Sequence, residues 1–214
     1  MNEIGNREDQ IVKLCCQLIG FKSENPPGDV TDIAGFIKDY LLDRGFKVET
    51  VAPEKNRINV VASLHGEKKK TLVWNGHMDV VPPGKADLWR TKPYEGVVKG
   101  SMVIGRGAAD MKGSIASVMI AASVLVDKNT ELGGNLLFHF VPDEETFSAY
   151  GTGFLVDNGY YSGVDACIVG DGTSSQMWGP AISVAEKGIL ALRVKASGRS
   201  AHASMPFLGE NAID

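Results

Sequence analysis

A set of side chains that commonly bind metal ions follows the apolar runs of this sequence. The set comprises His77, Asp79, Asp110, Glu144, Glu145 and Asp171. Each lies close to a glycine or proline near the end of a predicted strand, so these side chains are expected to leave a buried sheet at one edge and to converge. One imidazole and several carboxylates, without cysteine, suit a borderline divalent ion such as zinc. The pattern therefore predicts a metallohydrolase.

His77 and Asp79 stand two residues apart at the end of the predicted strand that begins at residue 71. Side chains of a strand alternate between faces, so Asp79 returns to the face that carries His77. A lone histidine after a strand is more often structural than a ligand. With the carboxylate on the same face, we predict that Asp79 orients the imidazole and raises its basicity as a metal ligand.

Residues 105–113 form a glycine-rich stretch that contains Asp110. Its plainest interpretation is a turn that enters a helix at Ser114. A phosphate-binding loop is the other alternative, but such a loop has Gly-Lys-Ser/Thr at the helix start, whereas this chain has Lys112-Gly113-Ser114. We predict that the glycines let the backbone pass close beneath a metal pair and that Asp110 bridges both ions with its two oxygens.

Glu144 and Glu145 follow a predicted strand that ends at Val141. Adjacent glutamates are usually solvated, but these two interrupt the exit of a buried strand. We predict that Glu145 binds an ion and that Glu144 takes a proton from the attacking water and returns it to the leaving amine. Asp171 ends a further strand, although its Asp-Gly sequence alone fits an ordinary turn equally well. The remaining early histidines, at 65 and 139, are predicted to be structural.

The elements that must position these residues alternate between helix and strand. Apolar residues at helical spacing predict helices near residues 11–19, 33–41, 114–126 and 151–157. Apolar runs predict strands at 46–51, 57–64, 71–75, 135–141 and 166–170. The class is α/β, with helices on both faces of a mostly parallel or mixed sheet. After Gly179-Pro180, residues 182–185 and 189–196 are predicted to be two strands of a new unit.

The composition is that of an ordinary globular protein, with 214 residues, 43% hydrophobic and 22% charged residues, and a net charge of -4. An acidic balance argues against nucleic acid as a partner. Cys15 and Cys16 fall in a predicted helix and Cys167 in a predicted strand, so no disulfide framework is indicated. The apolar stretch at 115–126 is short of the ~20 residues that cross a bilayer, and the N-terminus lacks a secretory pattern. We therefore expect a cytoplasmic protein without a membrane partner.

Four motifs resemble the metal-dependent amidohydrolase and exopeptidase family that includes acetylornithine deacetylase, succinyl-diaminopimelate desuccinylase, aminoacylase and carboxypeptidase G. They are Gly-His-Met-Asp-Val-Val-Pro at 76–82, the glycine-rich stretch at 105–113, Asp-Glu-Glu at 143–145 and Ser-Ala-His-Ala-Ser-Met-Pro at 200–206. They appear in the family's order and spacing, and the resemblance runs from the first predicted helix to the last residue.

The resemblance implies a two-zinc site, with Co2+ or Mn2+ as alternative ions. His77, Asp110 and Asp171 would hold one ion, although family members often have glutamate at the third position. Asp110 and Glu145 would hold the second together with a histidine from near the family's C-terminus. Glu144 would be the general base. His202 would stabilise the oxyanion, in many members from the partner subunit of a homodimer.

The resemblance also implies a domain organisation. Residues 1–180 would be the first segment of a layered, zinc-exopeptidase-like catalytic domain, and residues 181–214 the beginning of an α+β lid and dimerisation domain. The lid's remainder and the second catalytic segment are absent from this sequence.

The expected activity is hydrolysis of an amide bond in a small molecule, namely deacylation of an N-acyl amino acid such as acetylornithine or succinyl-diaminopimelate. A dipeptidase or aminopeptidase of the same family is the nearest alternative. A non-catalytic remnant that binds one metal ion or a partner chain is another. A nucleotide-binding domain is weakly supported, because no Gly-x-Gly-x-x-Gly links an early strand to a helix.

Overall fold

A computed structural model of the chain describes residues 7–172, 177, 179–185, 188, 190 and 192–213. The chain divides into two compact units, residues 1–172 and residues 173–214. The division therefore falls earlier than the predicted boundary between residues 180 and 181. The assignment of the units to a catalytic segment and a lid remains a prediction.

The first unit contains four helices and seven strands among its described residues. The helices are α1 (Glu8–Ile19), α2 (Thr31–Leu42), α3 (Gly113–Asp127) and α4 (Thr152–Asp157). The strands are β1 (Lys47–Glu54), β2 (Arg57–Leu64), β3 (Thr71–His77), β4 (Val97–Lys99), β5 (Met102–Ile104), β6 (Asn135–Val141) and β7 (Ala166–Val169). The bounds of β2 and β6 are those predicted from the sequence. The β4–β5 hairpin was not predicted.

Five strands form one mixed sheet in the order β1-β2-β6-β3-β7. β1 pairs with β2 and β2 with β6 in antiparallel fashion, whereas β3 runs parallel to both β6 and β7. In this register His77 lies opposite Val141, and Asn75 opposite Val169. Because parallel strands end at the same edge of a sheet, the segments that follow β3, β6 and β7 emerge together.

Helices cover both faces of the sheet, as predicted. On one face, buried side chains of α1, α2 and α3 form a continuous core with sheet residues that include Trp74, Phe138 and Phe140. On the other face, the Asn75 side chain contacts Thr152 at the start of α4 and donates to the Tyr161 hydroxyl. The alternation of side chains along β3 thus places Trp74 under the three helices and Asn75 on the face of α4.

The segment Ala108–Asp127 is long and apolar enough to cross a membrane by length and composition. It begins with a turn in which Asp110 and Met111 have non-helical backbone angles, so the regular helix is only the 15 residues of α3. That helix is about 22 Å long, compared with a hydrocarbon thickness of about 30 Å. Most of its buried residues, among them Ile115, Met119 and Ile120, belong to the core beside the sheet, so packing accounts for its apolar character.

The second unit contains a short 3-10 helix at Pro206–Leu208 and an isolated antiparallel bridge between Arg199 and Glu210. The strands predicted at 182–185 and 189–196 are wrong for the described residues of those segments, which adopt no strand. Residues 189 and 191 lie outside the described part. Ile182 and Val194 are more than 90% exposed. Among the described residues of these segments, the apolar side chains that suggested half-buried strands are therefore exposed.

Gly76 offers a test of how tightly β3 is packed beside the polar edge. A methyl group on Gly76 would overlap the Trp74 ring and the end of the buried Met111 side chain. We predict that Gly76→Ala lowers the free energy of unfolding by about 1–3 kcal/mol, because overpacking forces side chains and backbone to shift. Urea unfolding followed by circular dichroism measures this change.

Gly35 in α2 provides the matched control. A methyl group there meets no atom within 4 Å, so Gly35→Ala is expected to stabilise the helix by about 0.5–1 kcal/mol. Equal effects of the two substitutions would contradict the packing described for Gly76.

Candidate metal centre

Strand ends bring the predicted metal-binding side chains to one edge of the sheet. His77 is the last residue of β3, and the Met78 amide donates to the Val141 carbonyl at 2.8 Å, which holds the ends of β3 and β6 together. Glu144 and Glu145 begin a single 3-10 turn shortly after β6. Asp110 lies in the turn before α3, where its backbone is extended. Three different segments thus meet at this edge.

The imidazole of His77 is buried and held through both nitrogens. Nδ1 lies 2.9 Å from the main-chain carbonyl of Asp79, and Nε2 lies 2.8 Å from the Asp110 carboxylate. The Asp79 carboxylate is farther from Nδ1, at 3.4 Å. A proton on Nδ1 is therefore fixed mainly by the Asp79 carbonyl, which leaves Nε2 to face the carboxylates as a ligand would. The orienting contact predicted for the Asp79 carboxylate is thus made mainly by that residue's main chain.

The Asp79 carboxylate itself positions the two glutamates. It is fully buried and accepts hydrogen bonds from the main-chain amides of Glu144, at 3.1 Å, and Glu145, at 3.2 Å. It also accepts a hydrogen bond from the side chain of Asn25, at 2.7 Å. Asp79 therefore joins the end of β3 to the turn after β6. Spacing alone did not reveal this role.

Among the described residues, His77, Asp110 and Glu145 form the group suited to a metal ion. One potential ligand atom from each lies within 4.8 Å of the others. Glu144 lies beside them, with Oε2 3.8 Å from Nε2 of His77, and Glu145 also accepts a hydrogen bond from the Val81 amide. One imidazole nitrogen with carboxylate oxygens, in a partly buried position, fits zinc or a similar divalent ion.

Asp171 lies near this group without belonging to it. Its Oδ1 accepts a hydrogen bond from the Gly172 amide, and its charge contributes to raising the pKa of Glu144. Its predicted place beside His77 and Asp110 as a ligand remains a prediction.

His202 belongs to the second unit, where its Nδ1 lies 2.8 Å from the Ser204 hydroxyl. Its predicted contact with the oxyanion likewise remains a prediction.

The carboxylates repel one another at this edge. Burial raises the pKa of Glu144, with Asp171, Asp110 and Asp79 adding to the rise and His77 opposing it. Burial and the nearby Asp110 likewise raise the pKa of Glu145. Burial lowers the pKa of His77, but hydrogen bonds to Asp110 and Asp79 and their charges outweigh it and raise that pKa to about 11. A bound cation would take over the role of the imidazolium in neutralising these carboxylates.

A buried lysine anchors the turn that carries Asp110. The side chain of Lys112 donates to the Phe21 carbonyl at 2.7 Å, and burial lowers its pKa to about 7. Gly107 has a φ of +85°, and a Cβ there would meet the side chains of Val80 and Lys112. Glycine thus permits both the backbone conformation and the close approach. The passage of these glycines beneath a metal pair remains a prediction, and neither the approach of Gly107 to Val80 nor the buried Lys112 was predicted.

His139 and His65 lie outside the group suited to a metal ion among the described residues. His139 is buried in β6, with its ring edge-on to Tyr161, and burial lowers its pKa to about 4. His65 contacts Ser63 at the surface. Both placements agree with the structural role predicted for them.

The amino-acid sequence of the chain is similar to those of known proteins. Residues 73–206 match the sequence model of peptidase family M20/M25/M40. A protein named "Probable succinyl-diaminopimelate desuccinylase" from Staphylococcus aureus is 31% identical over 207 residues, which cover 97% of this chain and 50% of that protein. A Staphylococcus epidermidis protein of the same name is 33% identical over 207 residues, covering 97% and 49%. The chain spans about half the length of the curated relatives it matches.

Solved structures share the fold. An M20 family metallo-carboxypeptidase from Sulfolobus solfataricus matches with a TM-score of 0.67 at 25% identity, covering 75% of this chain and 37% of that one. Human carnosine dipeptidase 1 gives 0.66 at 24% identity, covering 78% and 39%. A dinuclear metal-binding M20 peptidase from Bacillus subtilis gives 0.57 at 18% identity, covering 77% and 43%.

The protonation of His77 leads to a prediction about metal binding. With a pKa of about 11, the imidazole carries a proton at pH 7, whereas a metal ion binds only the neutral ring. Zinc binding at pH 7 is therefore expected to release about one proton from His77. Calorimetric titration in two buffers of different ionisation enthalpy measures the number released.

Two histidine variants separate this proton from others. His77→Ala is expected to lose the release, and His65→Ala to keep it, because His65 lies outside the group. Zinc binding to the unsubstituted chain without proton release would contradict the charge state described for His77.

Proposed function

Because the chain belongs to peptidase family M20/M25/M40, whose sequence model matches residues 73–206, we propose that it contributes the metal centre of a hydrolase that cleaves an amide bond. The observation that carries this proposal is the convergence of His77, Asp110 and Glu145 at the edge of the mixed sheet, with Glu144 beside them. A buried imidazole that faces several carboxylates is a set of ligands that suits a divalent cation.

The proposed reaction is deacylation of an N-acyl amino acid of the succinyl-diaminopimelate or acetylornithine type. The desuccinylase names of the sequence relatives support this substrate class. Hydrolysis of a dipeptide is the second candidate, which the fold shared with human carnosine dipeptidase 1 favours. Because the chain spans half of its relatives, either activity is proposed for a protein that contains this chain.

We propose two zinc ions as the cofactor, with Co2+ or Mn2+ as alternatives. His77, Asp110 and Asp171 would hold one ion, and Asp110 and Glu145 the other. The nitrogen and oxygen donors present here and the fold shared with a dinuclear metal-binding peptidase support the assignment. When bound, such ions would lower the pKa of a water molecule, so that it loses a proton and becomes a nucleophile. They would also polarise the scissile carbonyl.

The chain's own residues then divide the remaining work. Glu144 accepts a proton from the attacking water and delivers it to the leaving nitrogen, a role helped by a pKa that burial raises. Asp79 keeps Glu144 and Glu145 in register through their main-chain amides. His202 would donate a hydrogen bond to the developing oxyanion.

The proposed setting follows the same relatives. We propose a cytoplasmic homodimer with a small N-acyl amino acid or short peptide as substrate and with no nucleic-acid or membrane partner. The net charge of -4 and the bacterial desuccinylase relatives support this setting.

A non-catalytic role is the alternative. Among the described residues, the group suited to a metal ion offers three ligands, enough to hold one ion in a chain that binds the ion or a partner chain and catalyses nothing.

The neighbouring glutamates allow the proton-transfer role to be separated from metal binding. We predict that Glu144→Ala lowers turnover about 10²–10⁴-fold, as expected for loss of a general base, while leaving the zinc content unchanged. Glu145→Ala is the matched comparison and should lower both. The measurements are metal analysis of the purified chain and hydrolysis of N-succinyl-diaminopimelate, N-acetylornithine and a dipeptide.

Each outcome of these assays bears on one alternative. Full turnover by Glu144→Ala would remove Glu144 from the base role. Zinc binding by the unsubstituted chain with no hydrolysis of any of the three substrates would overturn a catalytic role for the chain itself and support the non-catalytic alternative.

A further inference from the structure

We propose that Asn25 is a positioning residue of this metal centre, acting through the Asp79 carboxylate on His77, Glu144 and Glu145. The inference rests on the metal centre proposed above and extends it to a residue that belongs to none of the predicted ligands. Asn25 lies in the loop between α1 and α2, far from the other site residues in the sequence.

The side-chain amide of Asn25 joins two parts of the site. Nδ2 donates to Asp79 Oδ2 at 2.7 Å and to the Thr146 hydroxyl at 2.7 Å. Thr146 is the last residue of the 3-10 turn that Glu144 begins. Both hydrogens of one amide group are thus used, one on the carboxylate after β3 and one on the turn after β6. Asn25 is only 2% exposed, so water does not compete for these contacts.

The backbone holds this amide in place before any ligand binds. The main-chain amide of Asn25 donates to the Val80 carbonyl at 2.9 Å, and the Val80 amide donates to the Ser23 carbonyl at 2.9 Å. The Ser23 hydroxyl donates to the Met78 carbonyl at 2.7 Å. Residues 23–25 therefore run alongside residues 78–80, and Asp79 lies opposite a fixed donor rather than a mobile one.

The chemistry of the contact requires an amide in one orientation. The Asp79 carboxylate can only accept a hydrogen bond, so the NH2 group of Asn25 must face it, and in that orientation the same group also donates to the Thr146 hydroxyl. Among the described residues, no hydrogen-bond partner reaches Asn25 Oδ1, although that atom is buried. An unpaired buried acceptor is unfavourable, and turning the amide over would place its oxygen against the Asp79 carboxylate. The amide orientation therefore supplies a donor to the Asp79 carboxylate and leaves the amide oxygen of Asn25 without a hydrogen bond among the described residues.

Loss of the amide would reach the metal ligands through Asp79. The Asp79 carboxylate accepts donors from Asn25, Glu144 and Glu145 in a fully buried position. Without Asn25, one oxygen loses its side-chain donor, and the carboxylate is free to turn away from the two main-chain amides. The imidazole of His77, bonded to the Asp79 carbonyl, and the carboxylate of Glu145 would then be less well placed for one ion.

The first experiment compares metal binding by Asn25→Ala and by Asn59→Ala in the 214-residue chain. We expect Asn25→Ala to weaken Zn2+ affinity about 10–100-fold, the usual effect of removing a partner that orients a ligand. The visible absorption of bound Co2+ should change as well, because it reports the geometry of the ligands. Asn59 is also fully buried, and its side-chain amide donates to the main-chain carbonyls of Tyr150, at 2.8 Å, and Val51, at 3.3 Å. Because Asn59 contacts neither Asp79 nor the turn of Glu144, Asn59→Ala should leave the affinity and the spectrum unchanged.

A second pair of variants changes Thr146, the other residue that accepts a hydrogen bond from the Asn25 amide. Thr146 is less buried than Asn25. Thr146→Val removes the acceptor for Asn25 and keeps the side-chain shape, whereas Thr146→Ser keeps the hydroxyl. We expect Thr146→Val to weaken Zn2+ affinity less than Asn25→Ala does, and Thr146→Ser to restore the affinity of the unsubstituted chain. Circular dichroism and urea unfolding confirm that each variant is folded, and this pair decides the matter if Asn25→Ala does not fold.

The outcomes separate this inference from the proposed function. If the unsubstituted chain binds no Zn2+, the metal centre and the role of Asn25 are both overturned. If it binds Zn2+ and Asn25→Ala or Thr146→Val binds equally well with the same Co2+ spectrum, the metal centre stands and the role of Asn25 is overturned. Equal losses in Asn59→Ala and Asn25→Ala would assign the effect to general stability and also overturn the inference.

Discussion

A carboxylate that is removed from water needs hydrogen-bond donors around it, because an unpaired buried charge costs several kcal/mol. Asp79 meets this requirement with the amides of Glu144 and Glu145 and the side chain of Asn25. The need for these donors constrains the rest of the edge. The turn after β6 must approach the end of β3, and the loop after α1 must run beside residues 78–80. The hydrogen bonds to the Asp79 carboxylate consequently hold Glu144 and Glu145 in place, although Asp79 itself need not bind the metal ion.

The parallel pairing of β3 with β6 and β7 supplies the other half of this geometry. It places the ends of the three strands at one edge, so that a histidine, a pair of glutamates and an aspartate arrive there from separate segments. Asp110 comes from a turn that Lys112 anchors through the Phe21 carbonyl. The absence of a side chain at Gly107 permits the conformation of this turn and its close packing. Burial and mutual repulsion raise the pKa values of Glu144 and Glu145. The fold therefore concentrates negative charge where a divalent cation would relieve it.

Much of this arrangement could be predicted from local patterns. Apolar runs in the sequence predicted the bounds of β2 and β6. The polar residues that follow the strands indicated which side chains lie together at the edge of the sheet. The role of Asn25 could not be predicted in this way, because its partners lie 54 and 121 residues away. The buried position of Lys112 could not be predicted either, because its hydrogen-bond partner, the Phe21 carbonyl, lies 91 residues away. The strands predicted at 182–185 and 189–196 were wrong for the described residues of those segments, because alternation of apolar side chains in a sequence does not show whether another part of the fold covers them.

A crystal structure of the chain grown with Zn2+, with anomalous data at the zinc edge, tests the central claim most directly. The account predicts an anomalous peak about 2.0–2.2 Å from Nε2 of His77 and from an Asp110 oxygen, with Asp79 still accepting the amides of Glu144 and Glu145. The hydrogen bond between His77 and Asp110 would then be replaced by their shared ion. A structure in which that hydrogen bond persists, and zinc binds only at exposed carboxylates elsewhere, would contradict the account.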